Sequence, residues 1–190
     1  MKLVILDRDG TINSDSEDFV KSPDEWTALP GSLEAIARLN HAGWHVVIAS
    51  NQSGLGRGLF DVAALNAMHA KMYKLLAALG GRVDAVFYCP HSPEEDCQCR
   101  KPLPGLFEQI GERFGVSLKG VPTAGDSLRD IQAGAAAGCE PHLVLTGKSE
   151  RYRGGRAPEG LPAGTWIHQD LSAFADFILE RAAIPVSAPL

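Results

Sequence analysis

Four apolar residues, Leu3-Val4-Ile5-Leu6, run without a polar break into Asp7-Arg8-Asp9-Gly10-Thr11. A short continuous apolar run predicts a strand covered on both faces, as in a parallel sheet. His45 to Ala49 repeats the pattern and runs into Ser50-Asn51-Gln52-Ser53-Gly54. Asp84 to Tyr88, Val121 to Ala124 and His142 to Leu145 predict three further strands, and Thr165 to Ile167 a short last one. Helical spacing fills the gaps. Leu33, Ile36, Ala37 and Leu39 follow Ser32 as an N-cap, and Gly43 stops that helix. Asp61 caps a second helix whose predicted apolar face is Leu65, Met68, Met72, Leu75, Leu76 and Leu79, closed by Gly80-Gly81. Met68 and Met72 read as core filler. Leu106, Phe107, Ile110 and Phe114 follow Pro104, which suits a first turn, and Gly115 ends the run. Ala133 to Ala137 predicts a small-residue helix packed close to a sheet, and Asp170 or Ser172 caps a last helix that reaches Ala183. Residues 185–190 are expected to fray. Asn13 to Pro30 has no period, and loops of that length are often functional.

Strands alternating with helices predict an α/β, doubly wound parallel sheet. No repeat, biased segment or boundary interrupts the chain, so residues 1–190 are expected to form a single domain.

Hydrophobic residues make up 45% of the 190 and charged residues 22%, an ordinary globular balance with a core of useful size. A net charge of -5 speaks against a nucleic-acid partner, whose phosphates select basic faces. No apolar run is long enough for a bilayer, and Asp7 and Asp9 stand too early for a signal peptide. These features predict a cytoplasmic protein without a membrane partner. Nothing reads as an obligate interface, so a monomer is expected.

The chemistry gathers behind the strands. Strand one delivers Asp7 and Asp9, strand two Ser50 and Asn51, the segment after strand three Arg100 and Lys101, and strand four Asp126 and Asp130. In a parallel sheet these ends converge on one edge. Acids this close need a cation between them. Carboxylate and carbonyl oxygens suit Mg²⁺. Ser50, the amides beyond it and Lys101 offer donors for a phosphoryl group.

Asp7-Arg8-Asp9-Gly10-Thr11, Ser50-Asn51, Lys101 and Gly125-Asp126-x-x-x-Asp130 resemble the four motifs of the haloacid dehalogenase superfamily of phosphotransferases. The resemblance implies that Asp7 is the nucleophile, forming an aspartyl-phosphate, and that Asp9 is the general acid and base. It implies that Ser50 and Lys101 stabilise the transferring phosphoryl group. Mg²⁺ would be held by Asp7, the main-chain carbonyl of Asp9, and Asp126. Asp130 would stand behind them, fixing Lys101 or a metal-bound water. Many relatives insert a cap domain between motifs. Here the gaps hold one loop and one helix, then one helix, one strand and one loop, so a Rossmann-like, capless form is expected.

Cys89-Pro90-His91 and Cys97-Gln98-Cys99 place three thiols and an imidazole in one loop, residues 89–99. In a reducing compartment such a cluster points to metal before disulfides. Cys89, His91, Cys97 and Cys99 are a complete tetrahedral set for structural Zn²⁺, with no position open for water. A metal-free cysteine-rich loop is the competing reading. The loop together with the motifs resembles the D-glycero-D-manno-heptose 1,7-bisphosphate 7-phosphatase group. That implies release of the 7-phosphate through an aspartyl-phosphate, in the synthesis of ADP-heptose for lipopolysaccharide core. Histidinol-phosphate phosphatases are similar and are the nearest alternative. A polynucleotide phosphatase and a non-catalytic zinc-loop binding module are further ones. The resemblance further implies a small-molecule sugar phosphate as partner, with Arg100 on its distal part. Asn13, Asp15, Ser16, Glu17 and Asp18 would line the substrate site from the first loop. Arg8, Asn51, Gln52, Ser53, Arg57 and Ser127 would line it elsewhere.

The rest read blandly. Lys148, Arg151, Arg153 and Arg156 lie in a segment expected to be a solvated loop (148–164), with phosphate contact as the alternative. His41, His45, His69, His142 and His168 are expected at the surface or the sheet edges. Cys139 reads as a small buried apolar residue. Trp26, Trp44 and Trp166 read as packing, with Trp26 near enough to border the site.

Overall fold

A computed structural model describes residues 1–183. Its centre is β1 (Leu3–Leu6), in which all four side chains are buried. β2 (His45–Asn51), β3 (Ala85–Cys89), β4 (Pro122–Gly125), β5 (Glu140–Val144) and β6 (Trp166–His168) complete a sheet ordered β3-β2-β1-β4-β5-β6. Every pairing is parallel, and β1 lies between β2 (Leu3 beside His45) and β4 (Ile5 beside Thr123). The chain first winds outward from β1 to β3, then returns to the other side of β1. The strand order therefore reverses between β1 and β4, where a parallel sheet opens a crevice at its carboxyl edge.

Alternate side chains feed two cores. Val4, Leu6, Val46, Ile48 and Ala124 face a layer formed by α1 (Ser32–His41), α3 (Val62–Ala78) and α6 (Leu171–Ala183). Leu3, Ile5, Val47 and Ala49 face α4 (Gly105–Phe114) and α5 (Leu128–Ala136). Burial on both faces is why these strands read as unbroken apolar runs. Only a loop and α1 lie between β1 and β2. α2 (Ser53–Gly56) and α3 lie between β2 and β3, so no cap domain is inserted at either place among the described residues. No helix of the described residues is long and apolar enough to cross a membrane.

Local differences from the sequence pattern have physical causes. Ser32 begins α1 instead of capping it. Gly31, at φ 75°, takes the cap position, and Ser32 Oγ donates to the Ile12 carbonyl at 2.6 Å, tying the helix to the first loop. Leu75 and Leu79 were expected in the core, yet 39% of each is exposed. The stripe that meets the sheet is Leu65, Met68, Met72 and Leu76, and the other two fall on its flank. Asp61 caps α3 through the Ala64 amide, and of the two candidates for α6 it is Asp170 that caps, accepting from the Ala173 amide. Trp26 is fully buried and pins the long loop to the core, so it does not border the site. Three histidines expected at the surface or the sheet edges are buried: His69 on α3, His142 on β5, and His168, which does stand on the edge strand β6 but is covered by α6. The fraying expected of residues 185–190 lies outside the described residues.

Candidate active site

β1 and β4 are neighbours, so Asp7 and Asp126 leave the sheet side by side. The Asp7 amide still donates to the Ala124 carbonyl at 2.9 Å. Carboxylate oxygens of Asp7, Asp126 and Asp130 lie within 4.8 Å of one another. Burial and the Asp130 charge push Asp7 up to about 7. Burial and the Asp7 charge raise Asp126 well above the usual carboxylate range. Two acids in that condition are a cation site by chemistry, since a divalent ion removes the cost of ionising both. Asp130 is committed elsewhere. One of its oxygens pairs with Lys101 Nζ at 2.6 Å, and the other accepts from the Ser127 amide and hydroxyl. Those partners outweigh its burial and hold it low.

Lys101 is buried and bridges Asp130 to Asp7, 2.7 Å away, with the Ala49 carbonyl as a third partner. Burial opposes its charge, but the two carboxylates outweigh it and raise its pKa. The Asn51 side chain fixes the Lys101 backbone at both ends, donating to its carbonyl (3.1 Å) and accepting from its amide (3.0 Å). Asn51 lines the cleft, but its amide is spent on Lys101.

Asp9 sits in a cage. Arg8, Asn13 and Gln52 all donate to its carboxylate, at 2.7, 2.9 and 2.8 Å. Burial alone would raise Asp9, but the Arg8 charge and these hydrogen bonds prevail and lower it. Gly10 and Gly147 close in on Asp126 from two sides. At φ 84° and 49° they take conformations that side chains rarely adopt, and a Cβ on either would strike the Asp126 carboxylate.

The cleft above these groups has a volume of about 750 Å³. Asp15, Ser16, Glu17, Gln52, Ser53, Arg57, Arg100 and Ser127 line it as expected from the sequence. Arg8, Asn13, Asp18 and Ser50 do not. Arg8 turns inward onto Asp9, Asn13 braces the same carboxylate, Asp18 stands off in solvent, and the Ser50 hydroxyl accepts from Gln52 Nε2 beneath the floor. Two basic residues that line the cleft were not among the expected site residues. Arg129 stands between the two acids of its motif, a signal that could have been used. Lys148 was expected in a solvated loop, with phosphate contact only as the alternative. Its amide donates to Asp126 at 2.7 Å and its ammonium reaches Asp15 at 3.1 Å, so it closes the rim instead of floating in a solvated loop. At the mouth, burial and the charges of Arg129 and Arg57 depress Arg100. Its Nη1 is buried without a partner among the described residues. Three guanidiniums crowded together, one with an unused donor, make a receptor for an anion.

The Cys/His loop converges as well. Cys89 Sγ lies 3.4 Å from His91 Nδ1 and 3.8 Å from Cys97 Sγ, and His91 Nδ1 lies 3.3 Å from Cys99 Sγ. A tetrahedron with Zn–S bonds of about 2.3 Å has edges of about 3.8 Å between sulfurs, so the four atoms fit a zinc ion. Burial pushes the Cys89 thiol up to about 12, and a bound cation would reverse that. The loop leads straight into Arg100 and Lys101.

Known proteins are similar to this chain over nearly its whole length. A D-glycero-beta-D-manno-heptose-1,7-bisphosphate 7-phosphatase of Bordetella bronchiseptica is 60% identical over 182 residues, covering 96% of this chain and 100% of the relative. This chain belongs to the D-glycero-β-D-manno-heptose-1,7-bisphosphate 7-phosphatase family. The Pseudomonas aeruginosa member is 52% identical over 178 residues, covering 94% of this chain and 98% of that one. Residues 2–150 also match the family model described as Polynucleotide kinase 3 phosphatase, and the chain falls in that family too. Among solved structures, the D,D-heptose 1,7-bisphosphate phosphatase of B. bronchiseptica complexed with magnesium and phosphate superposes with a TM-score of 0.91. It is 59% identical and covers 95% of this chain and 99% of its own. Within the family, the carboxylates at the ends of β1 and β4 and the guanidiniums at the mouth are the features on which a function must be built.

Proposed function

We propose that this chain removes the 7-phosphate of D-glycero-β-D-manno-heptose 1,7-bisphosphate. The observation that carries the reading is the pairing of two anion sites in one cleft. One is Lys101 beside Asp7, and the other is the Arg57, Arg100 and Arg129 cluster at the mouth. A bisphosphate occupies both. Histidinol phosphate brings a single phosphate and an ammonium, which three guanidiniums repel. The names of the B. bronchiseptica and P. aeruginosa relatives support the same substrate and its β anomer.

The residues divide the work. A carboxylate oxygen of Asp7 attacks the 7-phosphorus in line as the bond to the C7 oxygen breaks. Asp9, held ionised by its cage in the free enzyme, takes a proton from solvent as the negative charge of the phosphoester enters the cleft, delivers it to that oxygen, and heptose 1-phosphate departs. The Asp9 carboxylate then takes a proton from water as the water attacks the aspartyl-phosphate, releasing inorganic phosphate and restoring Asp7. Lys101 neutralises the transferring oxygens, held in place by Asp130 and Asn51. Asp7, Asp126 and the main-chain carbonyl of Asp9 would hold Mg²⁺, which supplies charge neutralisation at the phosphoryl group and keeps Asp7 ionised. The B. bronchiseptica relative was solved with that ion and phosphate. Cys89, His91, Cys97 and Cys99 would hold a structural Zn²⁺ that shapes the segment presenting Arg100 and Lys101. We place the enzyme in the cytoplasm as a monomer of one domain, feeding ADP-heptose synthesis for lipopolysaccharide core. None of its cysteines is in a disulfide among the described residues, which suits a reducing compartment.

Phosphate release from the α and β heptose bisphosphates and from histidinol phosphate, at equal concentrations with Mg²⁺, tests this. The β heptose bisphosphate is expected to show the highest kcat/KM. Preference for histidinol phosphate would overturn the assignment.

A further inference from the structure

We propose that His69 is a positioning residue for phosphoryl transfer, acting through Arg8 on Asp9. The inference rests on Asp9 as the acid that protonates the leaving oxygen. His69 stands on the buried stripe of α3 among Leu65, Met68, Met72 and Leu76, where an imidazole has no packing reason to be. Its Nε2 lies 3.2 Å from Arg8 Nη1. Arg8 is itself fully buried. One edge of its guanidinium grips Asp9, with Nε 3.1 Å from Oδ1 and Nη2 2.7 and 3.0 Å from Oδ1 and Oδ2.

A guanidinium only donates, and it stays charged in a protein. His69 Nε2 must therefore accept, which puts the ring proton on Nδ1. The ring must also be neutral, and burial together with the Arg8 charge keeps it so, down to about 4. His69 thus satisfies the end of the fork that Asp9 cannot reach. With that acceptor gone, a buried charged donor would be left unpaired, and the planar group would turn to find another oxygen. Gln52 Oε1 stands 3.5 Å from Nη2, and Gln52 itself donates to Asp9. Any such turn moves both edges of the clamp, and the Asp9 carboxyl moves with them.

A misplaced acid has a distinctive signature. An alkoxide leaving group needs its proton, whereas a nitrophenolate leaves without one. The ratio kcat/KM reports the steps through departure of that group. His69→Leu and His69→Met remove the acceptor, and Met is included because its unbranched chain fits irregular core gaps. His69→Gln keeps an acceptor near the same place. We expect both apolar variants to lose about tenfold in kcat/KM on heptose 1,7-bisphosphate while staying within about twofold on 4-nitrophenyl phosphate, as for a displaced general acid. His69→Gln is expected to stay within about threefold of the parent on both substrates, since the hydrogen bond to Arg8 is retained. Equal losses on both substrates would mean a merely structural residue and would overturn the inference. So would no loss at all, or a Gln variant as impaired as the apolar ones. Asp9→Asn separates the two claims. Should it spare the sugar ester, the assignment of Asp9 as acid falls. Should it abolish that turnover while His69→Leu and His69→Met do not lower it, the role of His69 alone falls.

Discussion

His142 and His168 make a buried titration site far from the phosphate cleft, and it has a measurable consequence. Their rings stack 5.2 Å apart beneath α6, edge-on to Phe174 and Phe177. Polar partners form a chain. Arg181 pairs with Glu140, Glu140 meets His142 Nε2 at 2.9 Å, and His142 Nδ1 meets His168 Nε2 at 2.9 Å. Asp170 lies near enough to act on His168. Burial and the neighbouring His168 depress His142 from 6.5 to about 4, despite Glu140. The unfolded chain takes up this proton near pH 6.5, and the folded protein resists it until about pH 4. The resulting stability is intact above pH 6.5 and is lost as pH falls toward 4. At 1.36 kcal/mol per unit the full loss is about 3 kcal/mol, of which about 2 kcal/mol falls between pH 7 and 5. His142→Gln can still donate to Glu140 but cannot take a proton. Urea denaturation of parent and variant at pH 7 and pH 5, both with Mg²⁺ and Zn²⁺, compares the two, with Glu140 and His168 retained in both. The parent should lose about 2 kcal/mol more than the variant over that interval. Equal losses would refute the claim that His142 is held neutral by its surroundings.

Three more outcomes follow from the site. Asp7→Asn should lower turnover by at least about 10³-fold while circular dichroism and the unfolding curve stay those of a folded protein, and full activity would sink the covalent mechanism. Metal analysis should find close to one zinc per chain, and chelation should speed proteolysis within residues 89–99 and lower activity; a zinc-free, fully active protein would contradict this. Gly10→Ala forces a side chain into the left-handed region and into Asp126, so it should cost about 2 kcal/mol or more and weaken the Mg²⁺ dependence of activity, read by melting and by Mg²⁺ titration.

Much of this molecule is legible from local pattern. A strand covered on both faces must be apolar at every position, so β1 and β2 announce themselves, and the residues just beyond them are then placed on the reactive edge with no further information. The Cys/His loop is equally local, because its four ligands lie within eleven residues (89–99) of one another. What the sequence does not show is which side of an element meets which neighbour. Arg8 reads as a substrate contact beside Asp9, yet it points inward because α3 brings His69 to receive it. Asn51 reads the same way, yet the return of the chain at Lys101 claims its amide. Lys148 belongs to the cleft only because β5 lies next to β4 and delivers its loop over Asp126. His142 and His168 read as exposed until α6 covers them, although His168 does stand on the edge strand β6. Periodicity reports the burial that a residue's own element imposes. Partners contributed by strands and helices dozens of residues away are set by how those elements dock, and only the docked fold decides them.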